Sequence, residues 1–363
     1  MTAFKKTIVM LSIIVMLATG VFADVKDDMQ NTVTEEIKIV VFGNSILAHG
    51  KSESLGWYGD GWGMAASSAD KDYFNILKNK VYEAGYTNVK WFPITSSSFE
   101  KTLDKGPDYN YKTEFETYIA PALNKNNPDV IIFQIGENVS NNSGDGYANT
   151  LTRLAEYCVG INPDVEIIFC KPFWGGVGKN PGTMKAAIET GFVYADLSQF
   201  NNDDNKAIGL FENSAVANHP GDLGMSNIAN EIYSQLKIIL DKKYVNAEKA
   251  EVKLNGRYMT FDVPAQIING RIMIPVRAIS EAFGAAVDWD EKEQKVIISC
   301  NYAHIEIVIG ETYFTKNFKR INLDVPAQVV ENRTLVPIRA IAEALDCDVN
   351  WNDEEHTAII LKS

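Results

Sequence analysis

Strand-length runs of Val, Ile and Phe alternate with helical patterns from residue 37 to about residue 240. The predicted strands cover residues 37–43, 89–95, 129–135, 165–171 and 192–197. The helical patterns cover residues 72–84, 113–124, 147–159, 183–189 and 223–240. Apolar runs that are continuous, rather than interrupted at every second residue, indicate strands covered on both faces. This order of elements predicts an α/β fold in which one parallel sheet lies between two layers of helices.

An internal repeat follows a polar and charged segment, residues 241–251, which is predicted to be a linker. "FDVPAQIINGRIMIPVRAISEAFGAAVDWDEKEQKVII" is followed by "LDVPAQVVENRTLVPIRAIAEALDCDVNWNDEEHTAII". Asp262 aligns with Asp324 and Trp289 with Trp351, both 62 residues apart, so the two units align without a gap. A fixed period of this kind indicates a duplicated structural unit. We expect a smaller α+β domain over residues 252–363, with two tandem repeats at about 252–300 and 313–363.

Each unit has an Asp-x-Pro-Ala turn, a short apolar run, a hairpin-type turn, a second run ending in proline, a helix and a final Val-x-Trp strand. This pattern resembles the copper amine oxidase N-terminal-like domain of exported bacterial surface proteins. The resemblance implies a stalk or attachment module. It does not imply copper binding or amine oxidation. Attachment to the cell wall through the repeats stays possible. The matching Arg277 and Arg339 are interpreted as structural salt-bridge partners.

The N-terminus has the pattern of an export signal. Lys5 and Lys6 precede an apolar run over residues 7–22, and small residues at Val21 and Ala23 occupy the two positions that a signal peptidase reads. We therefore expect residues 1–23 to be a signal peptide and the protein to be secreted or held at the cell surface. An uncleaved membrane anchor is the alternative, because the apolar run is long for a signal peptide.

Charge and cysteine content exclude several classes of function. The net charge is -13, and phosphate recognition needs clustered Lys and Arg, so no nucleic acid is expected as a partner. Four cysteines do not make a disulfide scaffold, although a bridge between Cys300 and Cys347 stays open. These two cysteines and the histidines of the repeats lack a standard zinc spacing, so neither a metal site nor a cofactor is expected.

Three strand-end loops carry residues suited to acyl transfer. Ser45 lies at the tip of the turn in "VVFGNSILAHG", at the strand end where ligands bind in such sheets. A serine hydroxyl is a strong nucleophile only when a base accepts its proton, and His219 in "NHPGDLGMSNIA" is the better candidate. His49 is expected to line the pocket, and Asp222 is predicted to be a helix N-cap. Asn138 in "QIGEN" can join the Ser45 amide in an oxyanion hole.

The order Gly-x-Ser, Gly-x-Asn and His-Pro resembles the SGNH (GDSL-type) esterase superfamily over about residues 35–240. The resemblance implies a flavodoxin-like sheet and a serine hydrolase mechanism. Its roles carry over to Ser45 as nucleophile, His219 as general base and Asn138 as oxyanion donor, with Gly43, Asn44 and Gly136 completing the motifs.

The chain departs from the superfamily pattern at two places. The glycine that usually follows the second strand is absent, and "TSSSFE" stands there, so the amide of Ser96, Ser97 or Ser98 must take its place, with Ser97 as the pocket candidate. The aspartate that usually stands three residues before the histidine is Val216. A backbone carbonyl, or Asp222, is then expected to orient His219. Loss of an orienting carboxylate can cost several powers of ten in rate, whereas a carbonyl acceptor preserves the imidazole tautomer.

An aromatic, glycine-rich loop follows Ser45. Trp57, Tyr58 and Trp62 in "GWYGDGWGMAASSADKDY" suit a wall for a sugar ring, or equally an aromatic cluster that holds the loop in place. The sequence predicts a secreted serine esterase that removes acyl groups, foremost acetyl, from a polysaccharide through an acyl-enzyme. The alternative is a non-catalytic glycan-binding or adhesive protein on a hydrolase scaffold, and a thioester or lipid-ester substrate remains open.

Overall fold

The structure is a computed structural model that describes residues 36–103, 105, 108–140, 144–245, 250–352 and 355–362. The predicted signal peptide lies outside the described residues. Within these ranges, no helix combines the length and the apolar character needed to span a bilayer.

The first domain is built on a five-stranded parallel sheet. Its strands are β1 (Ile37–Gly43), β2 (Val89–Thr95), β3 (Val130–Phe133), β4 (Glu166–Lys171) and β5 (Val193–Asp196). The order across the sheet is β2-β1-β3-β4-β5, and every neighbouring pair is parallel. This is the flavodoxin-like order, in which the chain reverses direction beside β1 and leaves a crevice at the carboxyl ends of the strands. The predicted α/β class is confirmed.

Helices cover both faces of this sheet. They are α1 (Tyr73–Glu83), α2 (Ser97–Glu100), α3 (Lys112–Tyr118), α4 (Ala120–Asn126), α5 (Gly144–Ile161), α6 (Lys179–Thr190), α7 (Ser214–Ala217) and α8 (Asp222–Leu240). Ile39 and Val41 of β1 pack in a core with α1 and α8, whereas Val40 and Phe42 pack with α3 to α6. Successive side chains of β1 therefore enter opposite cores, which is why its apolar run is continuous.

The prediction of a single helix over residues 113–124 is wrong, because α3 and α4 are separate helices. Pro121 lies in the first turn of α4, and the break falls at Ile119. Proline lacks a backbone N–H and clashes with the preceding turn, so it is tolerated at a helix start but not in a helix interior.

In its described residues, the second domain consists of short strands, which are mostly antiparallel, and two helices. The first repeat and its leading hairpin contain β6 (Glu251–Leu254), β7 (Arg257–Tyr258), β8 (Gln266–Ile268), β9 (Arg271–Pro275), α9 (Val276–Ala282), β10 (Ala286–Asp290) and β11 (Lys295–Cys300). After β12 (Ala303–Val308), the second contains β13 (Tyr313–Lys316), β14 (Lys319–Asn322), β15 (Gln328–Val330), β16 (Arg333–Pro337), α10 (Ile338–Ala344), β17 (Cys347–Asn352) and β18 (Thr357–Lys362).

The two repeats are interlocked around a pseudo-two-fold axis. Ile274 of β9 pairs with Val336 of β16, its own counterpart 62 residues later, in a sheet of order β15-β16-β9-β8. The leading strand β6 pairs with the last strand β18, so the ends of the domain close on each other. Cys300 and Cys347 are free, as are the other two cysteines, so no disulfide joins the repeats.

The β6–β7 hairpin packs against the first domain. The Tyr194 amide donates to the Gly256 carbonyl at 3.2 Å, and Gln235 of α8 accepts a hydrogen bond from the Tyr258 amide at 2.8 Å. Arg257 pairs with the buried Glu231 of α8 at 2.5 Å. One π-helical turn, Asp241–Val245, continues α8 into the segment predicted to be a linker.

Candidate active site

The turn after β1 presents Ser45 at the carboxyl edge of the sheet. Gly43 has no room for a side chain, since a Cβ would lie 2.6 Å from Leu47 Cβ. The buried Asn44 accepts the Ile46 amide on its Oδ1 at 3.0 Å, which shapes the turn locally. Ser45 itself is half-buried. The sequence around it thus forms a tight turn that exposes the serine hydroxyl.

His219 meets this hydroxyl from a loop 174 residues away in sequence. Ser45 Oγ lies 2.8 Å from His219 Nε2, and His219 Nδ1 lies 2.7 Å from the Ala215 carbonyl oxygen. A carbonyl oxygen can only accept a hydrogen bond, so Nδ1 carries the ring proton. Nε2 is therefore left as an acceptor for the Ser45 hydroxyl. This is the arrangement that a serine–histidine dyad requires.

The Ala215 carbonyl stands where a carboxylate would orient the ring. Ala215 belongs to α7, whose N-cap Asn213 accepts the Ala215 amide at 2.9 Å. Val216 is fully buried in an apolar cluster with Trp57 and takes no part in orienting the ring.

Asp222 does not act on His219, and its prediction as a helix N-cap is wrong. Gly221 caps α8, and Asp222 is the first helical residue. Its exposed carboxylate accepts the Ser67 amide at 2.8 Å and the Ser67 hydroxyl at 2.7 Å. The extended backbone of Gly221 places the cap one residue earlier than the acidic residue that suggested it.

Burial sets the electrostatics of His219. The ring is only 9% exposed, and the edge of Trp174 packs against it with 4.7 Å between centroids. Desolvation lowers the pKa of His219 to about 4, against the hydrogen bond to Ala215, and the nearby His49 lowers it further. His219 is consequently neutral at physiological pH and able to accept a proton.

Two backbone amides near Ser45 are available to a ligand. Ser96 directs both its amide and its hydroxyl to the Gly43 carbonyl, at 2.6 and 2.8 Å, which holds the start of α2 beside the Ser45 turn. Ser97 is the first residue of α2. Within the part of the chain that the structure describes, the amides of Ser45 and Ser97 have no hydrogen-bond acceptor.

Glu100 joins the Ser45 turn to the Asn138 loop, and sequence reasoning missed it. Its fully buried carboxylate accepts Asn44 Nδ2 at 2.8 Å and the Gly136 amide at 3.1 Å on Oε1. Oε2 accepts the Asn138 amide at 3.1 Å and Asn138 Nδ2 at 2.5 Å. Burial raises the pKa of Glu100, while the hydrogen bonds from Asn44 and Asn138 lower it. An isolated Glu in "TSSSFE" has no spacing signal that distinguishes it from a surface residue.

The loop that presents Asn138 depends on a glycine with a positive φ angle and on a buried lysine. Gly136 has a φ of 115°, and a Cβ there would lie 2.4 Å from the Tyr147 hydroxyl, so only glycine fits. Lys179 Nζ donates to the carbonyls of Gly136 and Val139 at 2.9 and 3.3 Å. Asn138 itself is exposed and one of its two amide hydrogens is left for a ligand.

Glu137 positions the aromatic residue that packs on His219. Its carboxylate accepts the amides of Phe173 and Trp174 at 2.6 and 3.1 Å. Burial raises the pKa of Glu137 to about 7, and the neighbouring Glu100 raises it further, against the two amide hydrogen bonds. The second residue of the Gly-x-Asn motif thus fixes the loop after β4.

The aromatic loop after Ser45 divides into packing and exposed residues. Trp57 is 2% exposed and donates to the His49 carbonyl at 3.3 Å, so of its two predicted roles the packing role holds and the sugar-stacking role does not. It lies in the apolar cluster that pins the loop. Trp62 is half-buried, and Tyr58 is 68% exposed. His49 bonds the Gly50 carbonyl through Nδ1 at 2.6 Å rather than Ser45.

Metal ligation is absent from the described ranges: no three His, Cys, Asp or Glu side chains there are grouped to hold an ion.

Comparisons with known proteins match the two domains separately. No curated protein matches it. A Clostridium thermocellum family 3 carbohydrate esterase shares 17% identity at a TM-score of 0.38, over 56% of this chain and 98% of that chain. A Parabacteroides merdae protein described as a GDSL-like lipase shares 16% at 0.38, over 57% and 98%. A Cellvibrio japonicus family two carbohydrate esterase shares 15% at 0.35, over 56% and 62%. The chain is thus similar to GDSL-like esterases over its N-terminal part, and residues 253–360 match the copper amine oxidase N-terminal domain.

Proposed function

We propose that this protein is an exported serine esterase that cleaves its substrate through an acyl-enzyme on Ser45. The observation that carries the proposal is the contact of 2.8 Å between Ser45 Oγ and His219 Nε2, with Nδ1 held by the Ala215 carbonyl. A hydroxyl, a neutral imidazole of defined tautomer and free amides at one strand edge are the parts that acyl transfer needs. Export rests on the N-terminal sequence pattern alone.

Acylation begins when Ser45 Oγ attacks the ester carbonyl carbon and His219 Nε2 takes the hydroxyl proton. The carbonyl oxygen becomes an oxyanion, which the amides of Ser45 and Ser97 and the free hydrogen of Asn138 Nδ2 stabilise. The bond to the alcohol oxygen then breaks, and the imidazolium returns its proton to that oxygen. Water repeats the sequence on the acyl-enzyme, with His219 again as base, and releases the acid and Ser45.

The alcohol part of the substrate is proposed to be a carbohydrate, and the acyl group to be acetyl. Trp57 no longer supports this view, because it is buried. Its remaining support is the exposed Tyr58 and the half-buried Trp62 on the loop beside His49, with Trp174 against His219. Flat aromatic faces of this kind bury the C–H faces of a sugar ring.

A fluorophosphonate probe tests the proposed nucleophile directly. We expect the folded protein to be labelled once, at Ser45, as located by mass spectrometry of the tryptic peptide 39–51. His219→Gln should lose the label, because no base then accepts the serine proton. Heat-denatured protein should also stay unlabelled. Absence of label on the folded parent, or a label on another serine, would favour a hydrolase scaffold without turnover.

The pH dependence follows from the buried imidazole. Only the neutral ring accepts a proton, and a lowered pKa keeps His219 neutral at lower pH. We therefore expect kcat/KM for p-nitrophenyl acetate to fall on the acid side near pH 4, not near the ordinary histidine value of 6.5. To check this, turnover would be run at each pH and stopped, and the product would be measured after the sample is neutralised. An acid limb above about pH 6 would contradict the burial of the ring.

A further inference from the structure

The second domain contains two equivalent surface grooves. Groove 1 has a volume of about 790 Å³ and lies between α9, β10 and the β15–β16 hairpin of the other repeat. Groove 2 has a volume of about 690 Å³ and lies between α10, β17 and the β8–β9 hairpin. Every residue that lines groove 1, except Gln294, has its counterpart 62 positions away lining groove 2. The pseudo-two-fold axis therefore generates two copies of one site, each built from both repeats.

Several charged and aromatic residues of the grooves are identical in the two repeats: Arg271 and Arg333, Arg277 and Arg339, Glu281 and Glu343, Trp289 and Trp351. Other lining pairs differ, as in Thr260 and Asn322 or Asp288 and Asn350. The two grooves therefore share these charged residues and one tryptophan each, and differ in part of their polar lining.

Ion pairing accounts for part of this identity. Arg271 pairs with Asp324 at 2.6 Å, and the counterpart Arg333 pairs with Asp262 at 2.5 Å, each across the repeat boundary. Arg277 contacts Glu281 at 3.4 Å and donates to the Val287 carbonyl at 2.7 Å. One arginine in each groove is thus paired across the repeats, and Arg277 is paired in groove 1, so these arginines do not call for an anionic ligand.

Each groove contains one partly exposed tryptophan, and Trp351 also packs against the core of the domain. Trp289 is 41% exposed in groove 1, and Trp351 is half-buried in groove 2, where its ring meets the edge of His356. Amide side chains also line both grooves, although at positions that do not correspond: Gln294 and Asn332 in groove 1, and Asn322 and Asn350 in groove 2. A flat apolar face bordered by amides and fixed charges matches a sugar ring, which has C–H faces and a rim of hydroxyl groups.

We propose that the two grooves bind a neutral polysaccharide, one sugar segment in each. A polyanion is disfavoured by the net charge of -13. Two matching sites on one domain fit a ligand that is itself a repeating polymer, since the second contact becomes intramolecular and the apparent affinity rises without new contacts. The grooves would hold the esterase domain on a glycan surface.

Affinity electrophoresis of the full chain tests this proposal. Native gels containing konjac glucomannan, barley β-glucan or mannan should retard the parent in at least one case. Trp289→Ala and Trp351→Ala should each weaken retardation by at least about tenfold, and the double variant should lose it, because avidity needs both sites. Phe318→Ala, which removes a side chain that is 92% exposed in the same domain and outside both grooves, should bind like the parent.

Several results would overturn the proposal: no retardation in any neutral polymer, retardation only by anionic polygalacturonate, or full retardation of a folded double variant. If the tryptophan variants fail to fold, Glu281→Ala combined with Glu343→Ala tests the same two grooves with exposed residues. The Ser45→Ala variant should bind like the parent, so failure of groove binding is distinguishable from failure of the esterase proposal.

Discussion

Replacing Ser45 with alanine is expected to lower kcat for p-nitrophenyl acetate by at least about four powers of ten. The reason is that the variant lacks the proposed nucleophile, the hydroxyl oxygen that contacts His219 Nε2. Steady-state turnover of purified protein measures the loss. The fold should persist, because Ser45 is half-buried and its side chain makes no other hydrogen bond among the described residues.

A neighbouring serine provides the matched control. Ser52 lies on the same loop, and its hydroxyl contacts only the Ser54 hydroxyl at 3.2 Å among the described residues. Ser52→Ala should keep parental turnover, and both variants should keep the parental melting temperature. Equal turnover of Ser45→Ala and the parent would remove Ser45 from the mechanism and leave the scaffold interpretation.

Glu100→Gln is expected to lower kcat by about a hundredfold while KM changes little. Loss of one oxyanion donor typically costs 10² to 10³ in kcat, and Glu100 holds both Asn138 and the Asn44 of the nucleophile turn. The carboxylate accepts four hydrogen bonds, whereas glutamine has one acceptor oxygen and turns an NH₂ group toward two of the donors. Asn138 should therefore shift from its position, which affects the transition state more than substrate binding.

Glu231→Gln controls for the general cost of changing a buried carboxylate. Glu231 is 7% exposed and accepts the Asp196 amide at 2.9 Å and Arg257 at 2.5 Å, at the contact between the two domains. Its substitution should lower the melting temperature and leave kcat near the parental value. Glu100 would lose its positioning role if Glu100→Gln lowered only the melting temperature, or if KM rose while kcat held.

Local pattern was enough to predict the sheet. The runs at β1 and β2 were predicted to the residue, because both are mostly apolar and their ends are marked by glycine and polar turns. The buried strand β1 is apolar at nearly every position, whereas β2 lies at the edge of the sheet and is only partly buried. The duplicated domain was equally visible, since its two copies align without a gap. The interlocking of the copies was not, because strand pairing between β6 and β18 joins residues about a hundred positions apart.

The candidate site shows a similar division. Ser45, Asn138 and His219 could be singled out because each follows a sheet strand or precedes the last helix with a motif around it. Glu100 and the Ala215 carbonyl could not, since a lone carboxylate and a backbone oxygen acquire meaning only from what they contact. Trp57 carried a misleading signal, because an aromatic residue in a glycine-rich loop can face either the solvent or the core.

By itself, the sequence determined the layer order, the repeat and the three motif loops, because these depend on periodicity and on chain direction, which are local properties. Tertiary structure alone decided which acceptor orients His219, which carboxylate joins the Asn44 and Asn138 loops, and that the repeats build two matching grooves. These features depend on distances between segments far apart in the chain, and those distances are set by how the two cores pack.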